Sequence, residues 1–177
     1  MRVATFILLS LWALSARAQN SLVTLNGISD LKIGMKQAEV EKVLGQKIKL
    51  PHATKKTEDY TRDSLHINYK GIDVDLVFDL QYISENKYEV VLWEITSRNT
   101  SLKTKSGIGV GDDKLKIVAT YDGYIIWLMP DYLHDSEGKD KTKSTVWLHG
   151  DTSGTVLIFY MENNKVTGFS VQYDEGC

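Results

Sequence analysis

The chain has 177 residues, 42% of them hydrophobic and 10% aromatic, with 21 basic and 23 acidic side chains and a formal net charge of −2. That length holds one compact domain or two small lobes, and the slight acidity excludes nucleic acid as the main partner, since phosphate binding needs clustered Lys and Arg. The single cysteine, Cys177, excludes an internal disulfide, so the fold must rest on its hydrophobic core.

Arg2, the apolar run Ala4–Leu14 and the small-x-small triplet Ala16-Arg17-Ala18 read as a signal peptide over residues 1–18, cleaved after Ala18. The run is shorter than the ~20 residues a membrane-spanning helix needs. A secreted or periplasmic protein without a transmembrane span after cleavage is the expectation. Cleavage removes Arg2 and Arg17, which deepens the acidity, and leaves Gln19 where a bacterial lipoprotein would carry its acylated cysteine.

Val40, Val43 and Leu44 recur at helical spacing between charged residues, with Gly34 before them and Gly45 placed as a C-cap. Residues 46–63 are polar and read as loop. Leu65, Ile67 and Tyr69, then Ile72, Val74, Leu76 and Phe78, alternate with polar residues around the Lys70-Gly71 turn, the pattern of a β-hairpin. Tyr88 to Ser97 reads as a strand with Val91, Trp93 and Ile95 on one side. Residues 98–107 are polar and mark the expected boundary between two halves.

A second helix is expected from about Asp113 to Tyr121, with Asp112 or Asp113 as N-cap, Gly111 at its entrance and Ile117 on its apolar face. Tyr124 to Met129 is an apolar run stopped by Pro130, which reads as a buried strand. A charged loop, Asp131 to Ser144, follows. Strands at Thr145–His149, Thr155–Met161 and Val166–Tyr173 close the chain.

The stretches 31–45 and 108–123 share an order of elements: apolar residue, spacer, apolar residue, glycine, short helix, then strands. Two registers fit, one aligning Leu31 with Ile108 and Val40 with Ile117, the other Ile33 with Ile108 and Val40 with Leu115, and the shared order of elements supports a duplication. The expected fold is α+β, built of two similar units over residues 19–98 and 99–177, or one continuous domain. Each unit would pack a short helix on an antiparallel sheet of about three to four strands.

The segment ISDLKIGMKQAEVEKVLG, with Gly34-Met35, Glu39-Val40 and Leu44-Gly45, resembles the opening helix of the β-lactamase-inhibitor-protein-like families, which include the small outer-membrane assembly lipoproteins. The resemblance implies a small α/β unit, often in tandem, and in the inhibitors a concave sheet surface that grips a partner protein. Lys36 stands where those families have a Ser or Thr cap, so only the Glu39 half of a capping box remains. The second half, from SGIGVGDDKLKIV to FYMENNKVTGFSV, looks like many exported bacterial proteins in which a similar unit ends in a hairpin.

Catalytic motifs are wanting. Gly107-Ile108-Gly109-Val110-Gly111 brings its third glycine too early for a dinucleotide cradle, and Asp151-Thr152-Ser153-Gly154 is a lone near-match to an aspartic-protease loop. Asp131, His134, Asp135, Glu137 and Asp140 crowd one loop that could hold a cation, though their spacing fails the EF-hand pattern. No cofactor is implied. Six aromatic residues on expected strands, Trp93, Trp127, Trp147, Tyr124, Tyr160 and Tyr173, are the candidate partner-binding set.

The leading expectation is a non-enzymatic exported protein that binds a protein or envelope partner through an open sheet face. The alternatives are a small hydrolase or cation-binding protein using the loop 131–140, and an envelope scaffold. The oligomeric state is open.

Overall fold

The computed structural model describes residues 21–52, 62–84, 87–132, 138–150 and 154–175. The signal peptide expected over 1–18 lies outside the described residues. Short strands β1 (Leu22–Thr24), β2 (Gly27–Ile28) and β3 (Leu31–Lys32) open the chain and lead into helix α1 (Gln37–Leu44). Then come β4 (Asp63–Tyr69), β5 (Ile72–Ser84), β6 (Lys87–Ser97) and the short β7 (Lys103–Thr104). Helix α2 (Lys114–Thr120) precedes β8 (Ile125–Tyr132), β9 (Lys139–His149), β10 (Thr155–Glu162) and β11 (Lys165–Tyr173).

These strands form two sheets, one of four in the order β3-β2-β1-β7 and one of seven in the order β4-β5-β6-β11-β10-β9-β8. Every neighbouring pair in the large sheet is antiparallel. The protein is therefore mostly β, and the expected pair of α+β units, each with its own small sheet, is overturned. β11 lies beside β6, with Phe169 opposite Ser97 and Val171 opposite Ile95, so strands of both halves share one sheet. Two separate sheets would expose four edges of unpaired backbone, and joining them removes two. The polar segment 98–107 lies between the two halves. It carries β7, which runs parallel to β1, and its Leu102 is fully buried, as is Ile108 just beyond it.

One face of the large sheet is the core face. Ile72, Val74, Leu76 and Phe78 of β5 share it with Leu92, Ile95, Phe169, Val171, Leu157, Phe159, Val146 and Leu148. The small sheet contributes Val23, Ile28 and Leu31, and the helices contribute Val40, Ile117 and, at the end of α2, Tyr121. Each such large side chain contributes roughly 1.5–3 kcal/mol by leaving water.

The helices end as the sequence suggests. Glu39 accepts the Lys36 backbone N–H (2.8 Å), the one half of the capping box that a lysine cap leaves possible. Gly45 takes the left-handed conformation at φ 70 and donates its N–H to the Glu41 carbonyl. Leu44 packs part-buried against the core. Asp113 caps α2 by accepting from Leu115 N–H (3.0 Å). Gly34 and Gly111 tie the helix entrances to the sheet, donating to Leu92 and Val166 carbonyls, each at 2.8 Å.

Two strand expectations fail locally. Trp93 is the extra residue of a β-bulge, because Val77 pairs with Glu94 while Phe78 pairs with Leu92. The bulge breaks the alternation, so Leu92 and Ile95, rather than Val91, Trp93 and Ile95, face the core. The apolar run 124–129 is not a buried strand. β8 continues through Pro130 to Tyr132 and forms the exposed edge of the large sheet.

Candidate functional site

The face of the large sheet turned away from the core divides into two zones. Near β4–β6 it is polar: His66 meets Asp75 (2.7 Å), and Asn68 donates to Asp73 (2.7 Å). At its centre Glu94 accepts from Thr96 Oγ1 and Ser170 Oγ, both at 2.8 Å. Across β10, β9 and β8 the same face turns apolar and aromatic. The register aligns Val156 with His149 and Ile158 with Trp147, and then His149 with Ile125 and Trp147 with Trp127.

Trp127 and Trp147 thus stand directly opposite each other on neighbouring strands. The Trp127 ring lies 4.2 Å from the His149 ring, centroid to centroid, and the Trp147 ring lies 6.3 Å from it. Trp147 Nε1 donates to Thr145 Oγ1 (2.8 Å). Ile125, Met129 and Tyr132 are exposed along the same strand as Trp127. Large apolar side chains exposed together make this patch the candidate interaction surface.

His149 is the polar group at the centre of this patch. Its Nδ1 lies 2.8 Å from Asp174 Oδ2, across the end of β10. A carboxylate only accepts, so Nδ1 donates in this contact. Among the described residues His149 Nε2 is the one buried side-chain nitrogen or oxygen without a hydrogen-bond partner.

The six aromatic candidates separate. Trp127 and Trp147 form the patch. Tyr160 shares their face, half-buried, and burial with the nearby Glu94 charge pushes its phenol up. Tyr124 precedes β8, is exposed, and packs edge-on against Tyr121 at 5.7 Å. Trp93 and Tyr173 pack together elsewhere, ring centroids 4.8 Å apart. Arg62 lies over the Trp93 ring and pairs with Asp79 (3.1 Å) and Glu175 (2.8 Å), an arrangement that anchors the end of the described chain.

The acidic loop assembles less. His134, Asp135 and Glu137 lie outside the described residues, as do Asp151, Thr152 and Ser153. Asp131 is exposed at the end of β8. The Asp140 carboxylate accepts from the Thr142 hydroxyl and N–H and from Lys143 N–H, which together hold it below the usual carboxylate range. Among the described residues no group of three or more His, Cys, Asp or Glu side chains could hold a metal ion.

Comparison with protein-family models, with curated proteins and with solved structures finds no match. Function therefore has to be argued from the patch alone. Sequence reasoning singled out both tryptophans but passed over His149 and Asp174. These lie 25 residues apart in sequence, and only the order β9-β10-β11 brings them together. Within the described residues no helix is long and apolar enough to cross a membrane.

Proposed function

We propose that the protein is an exported, non-enzymatic binding protein that recognises a folded protein partner through the aromatic end of its outer sheet face. The observation that carries this is the Trp127–Trp147 pair, set face-outward with Ile125 and Met129 exposed beside it. Aromatic side chains dominate binding hot spots because they bury much area at little entropic cost. The patch is a broad sheet surface, whereas small ligands favour concave pockets, which is why the partner is a protein. The β-lactamase-inhibitor-like segment around Gly34–Gly45 accords with the same mode of recognition.

The test is site-specific photo-crosslinking in cells that make the protein. A photoreactive residue at Trp147 or Met129 should give adducts with one discrete partner. The same residue at His66 or Asn68, on the same face but in its polar zone, should give none. Adducts of equal yield at both ends, or none at Trp147 and Met129, overturn the proposal.

A further inference from the structure

We infer that β8 pairs antiparallel with β8 of a second copy of this chain, about a two-fold axis at Trp127. The argument starts from where the backbone of β8 sends its hydrogen bonds. Gly150 N–H donates to the Thr155 carbonyl (3.4 Å), so even-numbered residues of β9 bond to β10 and odd-numbered ones to β8. Through the β8–β9 register, Ile125, Trp127 and Met129 are the residues that bond to β9. Ile126, Leu128 and Pro130 turn their backbone groups to the open edge, since the sheet order ends at β8.

This open run is bounded at both ends. Pro130 has no N–H, and Tyr124 N–H is already given to the Tyr121 carbonyl (2.9 Å). A strand that completes it needs a short donor-bearing stretch with blocked ends, and β8 itself has that form. With Trp127 opposite Trp127, Ile126 of each copy meets Leu128 of the other in two pairs that exchange about four hydrogen bonds. Pro130 then faces Tyr124, where neither has a donor to offer.

The side chains favour the same register. Ile125, Trp127, Leu128 and Met129 are 55%, 37%, 54% and 46% exposed, and none carries a charge. Long apolar edges are ordinarily covered or blunted, because they template pairing with another chain. Asp122 precedes the strand. At its far end Lys114, Lys139, Lys141 and Lys143 line a hollow of about 360 Å³ together with Leu128, Met129 and Pro130. Asp131, Asp140 and Glu162, which stands opposite Lys143, offset most of that charge, so the register is left to backbone and side chains. The pairing uses the edge and leaves the outer face open, so it does not depend on the partner proposed above. It would merge two aromatic patches into one continuous face.

Sedimentation velocity on the full chain under reductant, which silences Cys177, is the first measurement. A concentration-dependent dimer is expected. Leu128→Lys, which sets two like charges near the axis, should weaken it at least about tenfold with the circular dichroism of the monomer unchanged. Register is read by cysteine crosslinking in a Cys177→Ser background. Trp127→Cys should form a disulfide with itself, and Ile125→Cys should crosslink only to Met129→Cys. Ser64→Cys, on the opposite edge strand β4, should stay monomeric. A chain that stays monomeric at hundreds of micromolar, or a dimer that crosslinks through Ser64→Cys, overturns the inference. Photo-adducts on a monomeric chain would sink this pairing and keep the proposed function. A dimer whose only photo-adducts are with itself would do the reverse.

Discussion

His149 Nδ1 and Asp174 Oδ2 meet at 2.8 Å across the end of β10, and this contact orients the imidazole beneath Trp127. His149 is 6% exposed. A buried polar group that loses its partner bears its desolvation cost alone, about 1–3 kcal/mol. Asp174→Ala should therefore lower the stability by that amount, read as a shift in the urea midpoint with the slope unchanged. It should also change the emission of Trp127, whose ring rests on His149. A variant with the midpoint and spectrum of the parent would show that the contact does not hold the ring.

Because β6 and β11 are neighbours in one sheet, the two halves of the chain should unfold together. Phe169 sits at that junction, fully buried and 5.6 Å from the Phe159 ring. Phe169→Ala should cost about 3–5 kcal/mol and displace a single transition, seen alike by fluorescence and by circular dichroism. Two separated transitions, in parent or variant, would contradict the continuous sheet.

The close pairing of β2 with β3 depends on the glycine that opens β2. Gly27 has φ +152, and a Cβ there would collide with the Leu31 carbonyl oxygen. Gly27→Ala should destabilise by at least about 2 kcal/mol. Gly71→Ala has open space and only a left-handed φ of +82 to accommodate, so about 1 kcal/mol is expected. Equal losses at the two sites would mean that the small sheet adapts around position 27. Thermal or urea melts of the two variants decide it.

The acid limb of the stability profile should be set by three carboxylates. Lys70 and Tyr69 hold Asp30 below the usual carboxylate range; Lys116 and Gly109 N–H do so for Asp112, and Leu115 N–H and Lys165 for Asp113. Each releases its proton more readily folded than unfolded. Their contribution is therefore complete above about pH 4 and lost as the pH falls through the lowered values. Asp30 is exposed and Asp112 and Asp113 are half-buried at the surface, so the effect is small and weakens with salt. Asp30→Asn should flatten the urea-midpoint profile between about pH 2 and pH 4; an unchanged slope there would refute the assignment. In alkali the sign reverses. Burial, with the Glu94 charge, raises the Tyr160 phenol, so its contribution holds below about pH 10 and fades as the pH rises through the raised value.

Local features were legible in the sequence because they depend on near neighbours. The alternation of Ile72 to Phe78 marked a strand with one core face, Asp113 marked the start of α2, and Gly45 marked the end of α1. The single cysteine excluded an internal disulfide from composition alone. What the sequence could not convey is which strands become neighbours. An apolar strand looks the same whether it is central or at an edge, so 124–129 read as buried, while its place beside β9 alone left it exposed. A bulge shifts alternation by one residue without any mark in composition, which misplaced Trp93. The pairing of β6 with β11 turned two expected sheets into one. The same order set His149 against Asp174 and Trp127 against Trp147. Neighbour choice is a property of the whole sheet, since it is the burial of one common face that selects it, and so the candidate site exists only at the tertiary level.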